Sequence, residues 1–429
     1  MSTRPLEFFQ YFKNELHVEG VPVEKIAETV GTPVYIYSTQ GFLKPLQSLK
    51  EGLKGLDYSI HFAMKSNSNL AILRLLSQHG VGMDLVSGGE LFRAGKAGVS
   101  GTKIVFSGVG KTPGEMAQAL QYDKGKGIYS FNVESTAELA TLSAVAQSVG
   151  KTARVAFRFN PDVNPKTHPY ISTGLKKNKF GLSRKEVLEL LRDHGMYPGI
   201  EVVGLSIHIG SQLLSLKPLE ESFRNLSELV DECEHHLARP LEFVDLGGGL
   251  GITYKNEKTP PLKQYCKLVR KYFGPESKRT HLPRILIEPG RLLSGNAGAL
   301  ISEVLYRKER KAKDFLIVDA AMNDLMRPAL YGSHHEIVPV QREGGKKRKS
   351  DIVGPVCESS DCFGSDRLMP AHLGSGELLA VLSAGAYGMT MASNYNTRPR
   401  PAEVLVDGES FLVIRERESY EDLIRGERL

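Results

Sequence analysis

Lys65 lies in the stretch HFAMKSNSN (61–69), where a strand-like segment runs into a helix-like one and small polar residues surround a single cation. A lysine held out of water with a depressed pKa is the usual amine for attack on a carbonyl. Taken alone, a lysine at such a place is more often an ordinary strand-end residue. Other reactive groups share the setting. Asp84 sits in GMDLVSGGEL, His208 opens HIGSQ, Gly247, Gly248 and Gly249 form the middle of DLGGGLG, and Glu288 opens EPGR. Consecutive glycines let backbone N–H groups approach a phosphate without interference from Cβ atoms. A glutamate at a strand end can pair with a protonated ring nitrogen, and Arg291 of EPGR can fork onto a carboxylate.

Each of these has a plain structural reading: a tight turn, a strand-ending ion pair, a hydrogen-bonding histidine. As a set, the amine, the glycine loop, the ring-nitrogen acid and an imidazole able to stack on a planar ring specify pyridoxal 5'-phosphate (PLP). Tyr387, in AGAYGMTMASNYN, is either core packing or a phenol reaching a phosphate oxygen. Cys357, in GPVCESSD, is either an inert thiol or a proton donor that Glu358 and Asp361 keep protonated. Two glycine motifs fail as nucleotide sites. DLGGGLG breaks G-x-G-x-x-G because position 252 is Ile, and GVGKT (108–112) has Val105 where a P-loop starts with glycine.

The elements that must position these groups follow from periodicity. Strand-like runs at 58–64, 82–86, 103–107, 128–132, 153–159, 202–208, 243–246 and 285–288 alternate with helix-like segments at 70–79, 89–97, 114–122, 135–147, 184–193 and 218–236. Such alternation implies parallel strands, and eight units fit a (β/α)8 TIM barrel, with an open doubly wound sheet as the alternative. Barrel chemistry sits at the C-terminal strand ends, where Lys65, Asp84, His208, the glycines and Glu288 all fall. After residue 290 the strand-like runs at 300–307, 315–319, 337–341, 378–383 and 403–406 come without full helices, and Asp407-Gly408 marks a hairpin. The expected organisation is a barrel over 41–290, a β-rich (β-sandwich or barrel) domain over 291–429, and a segment 1–40 whose PVYIYS run (33–38) adds a strand to the β domain.

Composition limits the partners. Over 429 residues, 41% hydrophobic and 24% charged content is ordinary for a globular protein, and a formal charge of +6 does not imply nucleic acid. The basic run KKRKS (346–350) reads as a solvated loop tip rather than an anion patch. Four cysteines, with Cys357 and Cys362 spaced C-x4-C and no completing pair, argue against a disulfide scaffold and a zinc site. The N-terminal MSTRPLEFFQYFKNEL lacks a signal-peptide core, and no window nears the roughly 18 apolar residues of a membrane span. The expected compartment is the cytoplasm, with no metal, membrane or nucleic-acid partner.

Taken together, HFAMKSN, GMDLVSGGEL, NPDVNPKTHPYISTGLKKNKFG, HIGSQ, DLGGGLGITY, EPGR, DLMRPALY, GPVCESSD and AGAYG resemble the fold-type III PLP-dependent decarboxylases of alanine racemase-like type over nearly the whole chain. The resemblance implies that Lys65 carries PLP, that His208 stacks on its ring and that Glu288 meets the ring nitrogen, with Asp84 also among the cofactor residues. It implies that Gly247, Gly248, Gly249, the Gly290–Arg291 backbone and Tyr387 hold the phosphate. Cys357 matches a proton donor contributed by the other subunit of a homodimer, and Glu358 matches the acid that meets a distal amine. Arg291, Arg327 and Tyr331 match the groups for a distal carboxylate, with Ser211 and Tyr387 beside the substrate. Ser66 stands where the family more often has alanine, and Ser360 where it usually has glycine; neither removes a reacting group.

Charge counting then selects the substrate. An ornithine or arginine site needs acid at its far end and no cation there, whereas Arg291 and Arg327 demand a distal carboxylate. The expected reaction is decarboxylation of meso-2,6-diaminopimelate to L-lysine and CO2, the last step of lysine formation. Decarboxylation of ornithine, arginine or carboxynorspermidine, racemisation, and a PLP carrier without activity are the competing readings.

Overall fold

The computed structural model describes residues 7–164, 174, 178–277 and 279–429; part of the motif at 160–181 lies outside the described residues. The chain divides into two units. The barrel unit comprises Leu46–Gly251 and Lys258–Gly290, and the β unit comprises the chain up to Pro45, Ile252–Glu257 and Arg291–Leu429.

Among the described residues of the barrel unit, eight parallel strands close on themselves. They are β1 (Tyr58–Ala63), β2 (Gly82–Leu85), β3 (Ile104–Phe106), β4 (Ser130–Val133), β5 (Ala153–Arg158), β6 (Ile200–Ser206), β7 (Phe243–Asp245) and β8 (Arg284–Ile287). Closure is made by β8 pairing β1, with Ile285 opposite Tyr58, which excludes the open sheet. Strands β2, β3 and β4 are buried throughout, as strands covered on both faces must be. Inside the barrel, Val105, Ala156, Val203, Phe243 and Leu286 are fully buried against one another. Side-chain layers of this kind fill the interior and leave chemistry to the rim.

Helix starts are fixed by local capping. Asn69, Ser87, Thr112, Ser135 and Ser183 each accept a backbone N–H of the first helical turn, and Thr112 and Ser183 complete capping boxes with Glu115 and Glu186. A cap of this type contributes about 1 kcal/mol. The Asn69 cap holds the helix Leu70–Gln78 seven residues past Ala63, and Lys65 occupies the short 3-10 turn Met64–Ser66 between them. Among the described residues, three helices of eight or more residues fall outside the helix-like segments: Val23–Val30, Thr39–Leu53 and Leu262–Phe273. Thr39–Leu53 carries Pro45, a local breaker, in its interior, and Leu262–Phe273 starts directly after Pro260-Pro261 with Pro261 at its N-cap.

In the β unit the buried strand Val34–Ser38 lies centrally, antiparallel to Gly298–Lys308 and parallel to Ala402–Asp407. Gly298–Lys308 continues outward to Asp314–Val318, Lys347–Val353 and Cys362–Pro370. Asp407 pairs with Ser410 across the expected hairpin, with Gly408 at φ +60°. KKRKS is not a loop tip. Residues from Lys347 onward form the strand Lys347–Val353, paired to Cys362–Pro370, with the basic side chains in solvent and Ser350 buried. A solvated strand end and a solvated loop carry the same charges, so composition could not separate them. Ahead of these strands, Phe9–Phe12, Glu15–Val18 and Val21–Pro22 form a small antiparallel sheet absent from the sequence reading. No helix among the described residues is long and apolar enough to cross a membrane.

Candidate active site

The barrel unit gathers one half of the expected residues at its strand ends. Lys65 follows β1 by two residues, Asp84 lies within β2, His208 follows β6 by two, Gly247 follows β7 by two and Glu288 follows β8 directly. The Lys65 ammonium is 3.4 Å from an oxygen of Asp84. Its side chain is 37% exposed while Asp84 is fully buried, so the amine is neither sealed from water nor aimed into bulk. The Asp84 carboxylate is therefore placed to orient this amine. The Ser66 hydroxyl donates to the Ala63 carbonyl at 2.8 Å, which satisfies it within its own turn. A Cβ at Gly290 would come within 3.1 Å of Ala63 and Ser66, so the turn after β8 packs closely on the lysine turn and a side chain at 290 would press on it.

The glycine run is required by its surroundings. A side chain on Gly248 would sit 2.2 Å from the Glu288 carbonyl, and Gly249 has φ +104°. The Gly248 N–H donates to Nδ1 of His208 at 3.3 Å, which puts the ring proton on Nε2. Burial first, then the Lys65 and Arg158 charges, hold this imidazole neutral, far below its ordinary pKa. Arg158 also donates to the His208 carbonyl at 3.4 Å and pairs with Glu134 at 2.8 Å.

Behind the lysine lies a cluster of acids. Burial, then the charges of Asp245 and Asp84, raise the Glu288 carboxyl well above its usual range. Asp245 is raised chiefly by burial, and the two carboxyls hydrogen-bond to one another. The Asn132 amide reaches both, at 3.4 Å to Glu288 and 3.1 Å to Asp245. The pair therefore holds a proton at neutral pH. An acid with a raised folded-state pKa contributes its stability below the unfolded value, about 4.3, and loses it as pH rises through the folded value. The melting temperature of the cofactor-free protein should therefore fall less between pH 5 and 8 in Glu288→Gln than in the parent. Equal slopes in the two proteins would contradict a protonated Glu288.

The β unit gathers the other half. Arg291 and Arg327 are each 5% exposed. Both guanidiniums lie over the Tyr254 ring, at 5.8 and 5.1 Å, while Arg291 also faces Tyr387 at 4.8 Å and Arg327 faces Tyr331 at 6.0 Å. Arg327 donates to Ser333 at 3.2 Å and to Nε2 of His335 at 3.4 Å. His335 can accept because its other nitrogen lies 2.9 Å from the Leu382 carbonyl and burial lowers its pKa to about 3. Arg327 makes no ion pair among the described residues. Burial first, with the Arg291 charge opposing it further, pulls its pKa down. Two buried like charges padded by phenols form a receptor for an anion.

Cys357 and Glu358 stand exposed on a separate loop of the β unit, where the contacts are Tyr395 and Asn396. Ser211 is half-buried in the loop after β6. The sequence reading passed over Asp245, Asn132, Tyr254 and His335. Asp245 and Tyr254 open and close a motif it did single out, whereas nothing around His335 marked it.

The residues present fit PLP. Among the described residues, one buried oxygen each of Asp84 and Asn132 has no hydrogen-bond partner, a protonated acid and a neutral imidazole flank the lysine, and the glycine run leaves no room for side chains. Residues 42–295 match the family described as pyridoxal-dependent decarboxylase, pyridoxal binding domain. The chain is 44% identical to the diaminopimelate decarboxylase of Pseudomonas fluorescens, across 99% of both chains. It is 42% identical to that of Aquifex aeolicus, across 97% of this chain and 96% of the relative. Among solved structures, diaminopimelate decarboxylase from M. jannaschii in complex with L-lysine has a TM-score of 0.93 at 38% identity, covering 99% of both chains. The Helicobacter pylori enzyme complexed with L-lysine has a TM-score of 0.87 at 42% identity, covering 94% of this chain and 98% of that one.

Proposed function

The chain belongs to the diaminopimelate decarboxylases, within the pyridoxal-dependent decarboxylase family, and on that premise we propose that it converts meso-2,6-diaminopimelate to L-lysine and CO2 with PLP carried on Lys65. PLP, when bound, supplies a sink for the electron pair left as CO2 departs. Lys65 would hold its aldehyde carbon, His208 its ring face, and Gly247, Gly248, Gly249, the Gly290–Arg291 backbone and Tyr387 its phosphate. Glu288 would meet the ring nitrogen, and it comes to that task already protonated through Asp245. Asp84 keeps the Lys65 amine oriented through the contact at 3.4 Å.

The observation that carries the substrate assignment is the Arg291–Arg327 pair around Tyr254. A distal carboxylate supplies the anion that Arg327 lacks, and Tyr331 lies on the same short helix, Arg327–Tyr331. Ornithine or arginine would bring a cation instead, at a cost of several kcal/mol in a desolvated site. Glu358 is assigned to the distal amine, and Cys357 or Lys65 to the proton that replaces CO2 on Cα. The exposure of Cys357 and Glu358 supports their acting in the site of a second subunit, hence a homodimer. A reducing cytoplasm would suit the exposed thiol.

Purified protein should release one CO2 and one L-lysine per meso-diaminopimelate consumed, only with PLP, and should leave ornithine and arginine untouched. Turnover of ornithine in preference, or racemisation without CO2, would overturn the assignment.

A further inference from the structure

We propose that Tyr395 and Asn396 are positioning residues that hold Glu358 and Cys357, each through its own contact, from outside the loop that bears them. The proposal rests on the roles just assigned to Cys357 and Glu358 and adds what sets their geometry.

The base of that loop is closed by Asp361, whose carboxylate accepts the Val356 N–H at 2.8 Å and the Met322 N–H at 2.7 Å. The Glu358 and Asp361 N–H groups donate to Val356 and Glu358 carbonyls at 2.8 and 3.1 Å. The tip, Cys357 and Glu358, is exposed, and an exposed glutamate keeps most of its rotamer freedom unless something ties it. Two adjacent residues from a distant segment supply the ties. The Tyr395 phenol donates to the Glu358 carboxylate at 2.5 Å, and the Asn396 side-chain oxygen accepts the Cys357 N–H at 3.1 Å. The hydrogen bond to Glu358 raises the phenol's pKa, so it remains a donor at neutral pH.

The clamping segment is held independently of the loop it clamps. Asn396 and Thr397 both have φ +55°, a conformation that costs a β-branched residue roughly 1–2 kcal/mol. Asn394 donates to Glu418 at 2.7 Å and to the Arg398 carbonyl at 3.1 Å; Arg398 donates to Asn323 at 3.1 Å and to the Asp319 carbonyl. A strained turn fixed at both ends, touching two neighbouring loop residues through two neighbouring side chains, is a device for setting their spacing. Solvation alone would not require it, since water reaches both tip residues.

The test uses the PLP-loaded enzyme with Tyr395→Phe, Asn396→Ala and Asn396→Asp, the last of which keeps an acceptor. Two readouts are taken: kcat and KM for meso-diaminopimelate, and the rate at which iodoacetamide alkylates Cys357, resolved from Cys362 by peptide mass spectrometry. Tyr395→Phe should raise KM about fivefold to tenfold with kcat within about twofold, the signature of a lost binding geometry. Asn396→Ala should lower kcat about tenfold and change Cys357 alkylation at least about threefold, leaving Cys362 as in the parent. Asn396→Asp should restore most of both. Unchanged KM together with unchanged Cys357 alkylation, or equal losses in Asn396→Ala and Asn396→Asp, would overturn the proposal. If Cys357→Ser turns over at the parent rate while alkylation still responds to Asn396→Ala, the clamp stands and the assigned role of Cys357 falls.

Discussion

Lys65→Ala should abolish lysine formation from meso-diaminopimelate, with a loss of at least about a thousandfold, because the proposal gives this one amine both the cofactor tether and proton movement at Cα. Borohydride reduction of the parent should leave a pyridoxyl group on the peptide containing residue 65, and the variant should carry none there. Added small primary amines should recover part of the rate, since they replace the amine but not its tether. The surroundings make the prediction specific to this lysine. Lys65 contacts a fully buried Asp84 at 3.4 Å, whereas Lys111, another strand-end lysine, is locked by Glu138 at 2.6 Å and two carbonyls. Lys111 is thus bound to structure, and its replacement should cost stability rather than chemistry. If Lys65→Ala retained turnover, or if the reduced adduct appeared on another lysine, the cofactor assignment would fail.

The fold was legible where local and global signals agree. Each barrel strand ends within two residues of its expected place, because buried parallel strands read as short apolar runs bounded by turns. The shared placement of Lys65, Asp84, His208, Gly247 and Glu288 was legible because each falls at the end of a strand-like run, where such a barrel keeps its chemistry. What stayed hidden depends on contacts between distant residues. Asp245 looks like the first residue of a glycine turn, and only closure of β7 against β8 shows that it shares a proton with Glu288. His335 looks like loop polarity, yet it is fully buried and accepts from Arg327. The contact between Lys65 and the buried Asp84 likewise depends on β2, nineteen residues on, and is not visible in the lysine's own stretch. Helix Thr39–Leu53 was hidden by Pro45, a local breaker that the rest of the helix outweighs.

Arg327→Met should raise KM for meso-diaminopimelate about thirtyfold to a thousandfold, while kcat at saturation falls less. Removing one member of a desolvated charge pair costs about 2–4 kcal/mol, and each 1.4 kcal/mol is tenfold in affinity. Methionine is chosen because it fills a similar volume without a charge, so the loss reads the missing guanidinium and not a cavity. Arg327→Lys should rescue little, since a point charge cannot fork onto the carboxylate or replace the donors to Ser333 and His335. The same substitution should act in the opposite direction on the free protein. Without substrate, Arg327 is a buried cation with neutral partners and a second guanidinium opposing it, so its removal relieves desolvation and like-charge repulsion. The melting temperature of substrate-free Arg327→Met should therefore equal or exceed that of the parent, and L-lysine, which keeps the distal amine and carboxylate of the substrate, should inhibit the variant more weakly than the parent. A residue kept for stability would show the reverse, a lower melting temperature with unaltered KM. That outcome would remove the charge argument that separates diaminopimelate from ornithine.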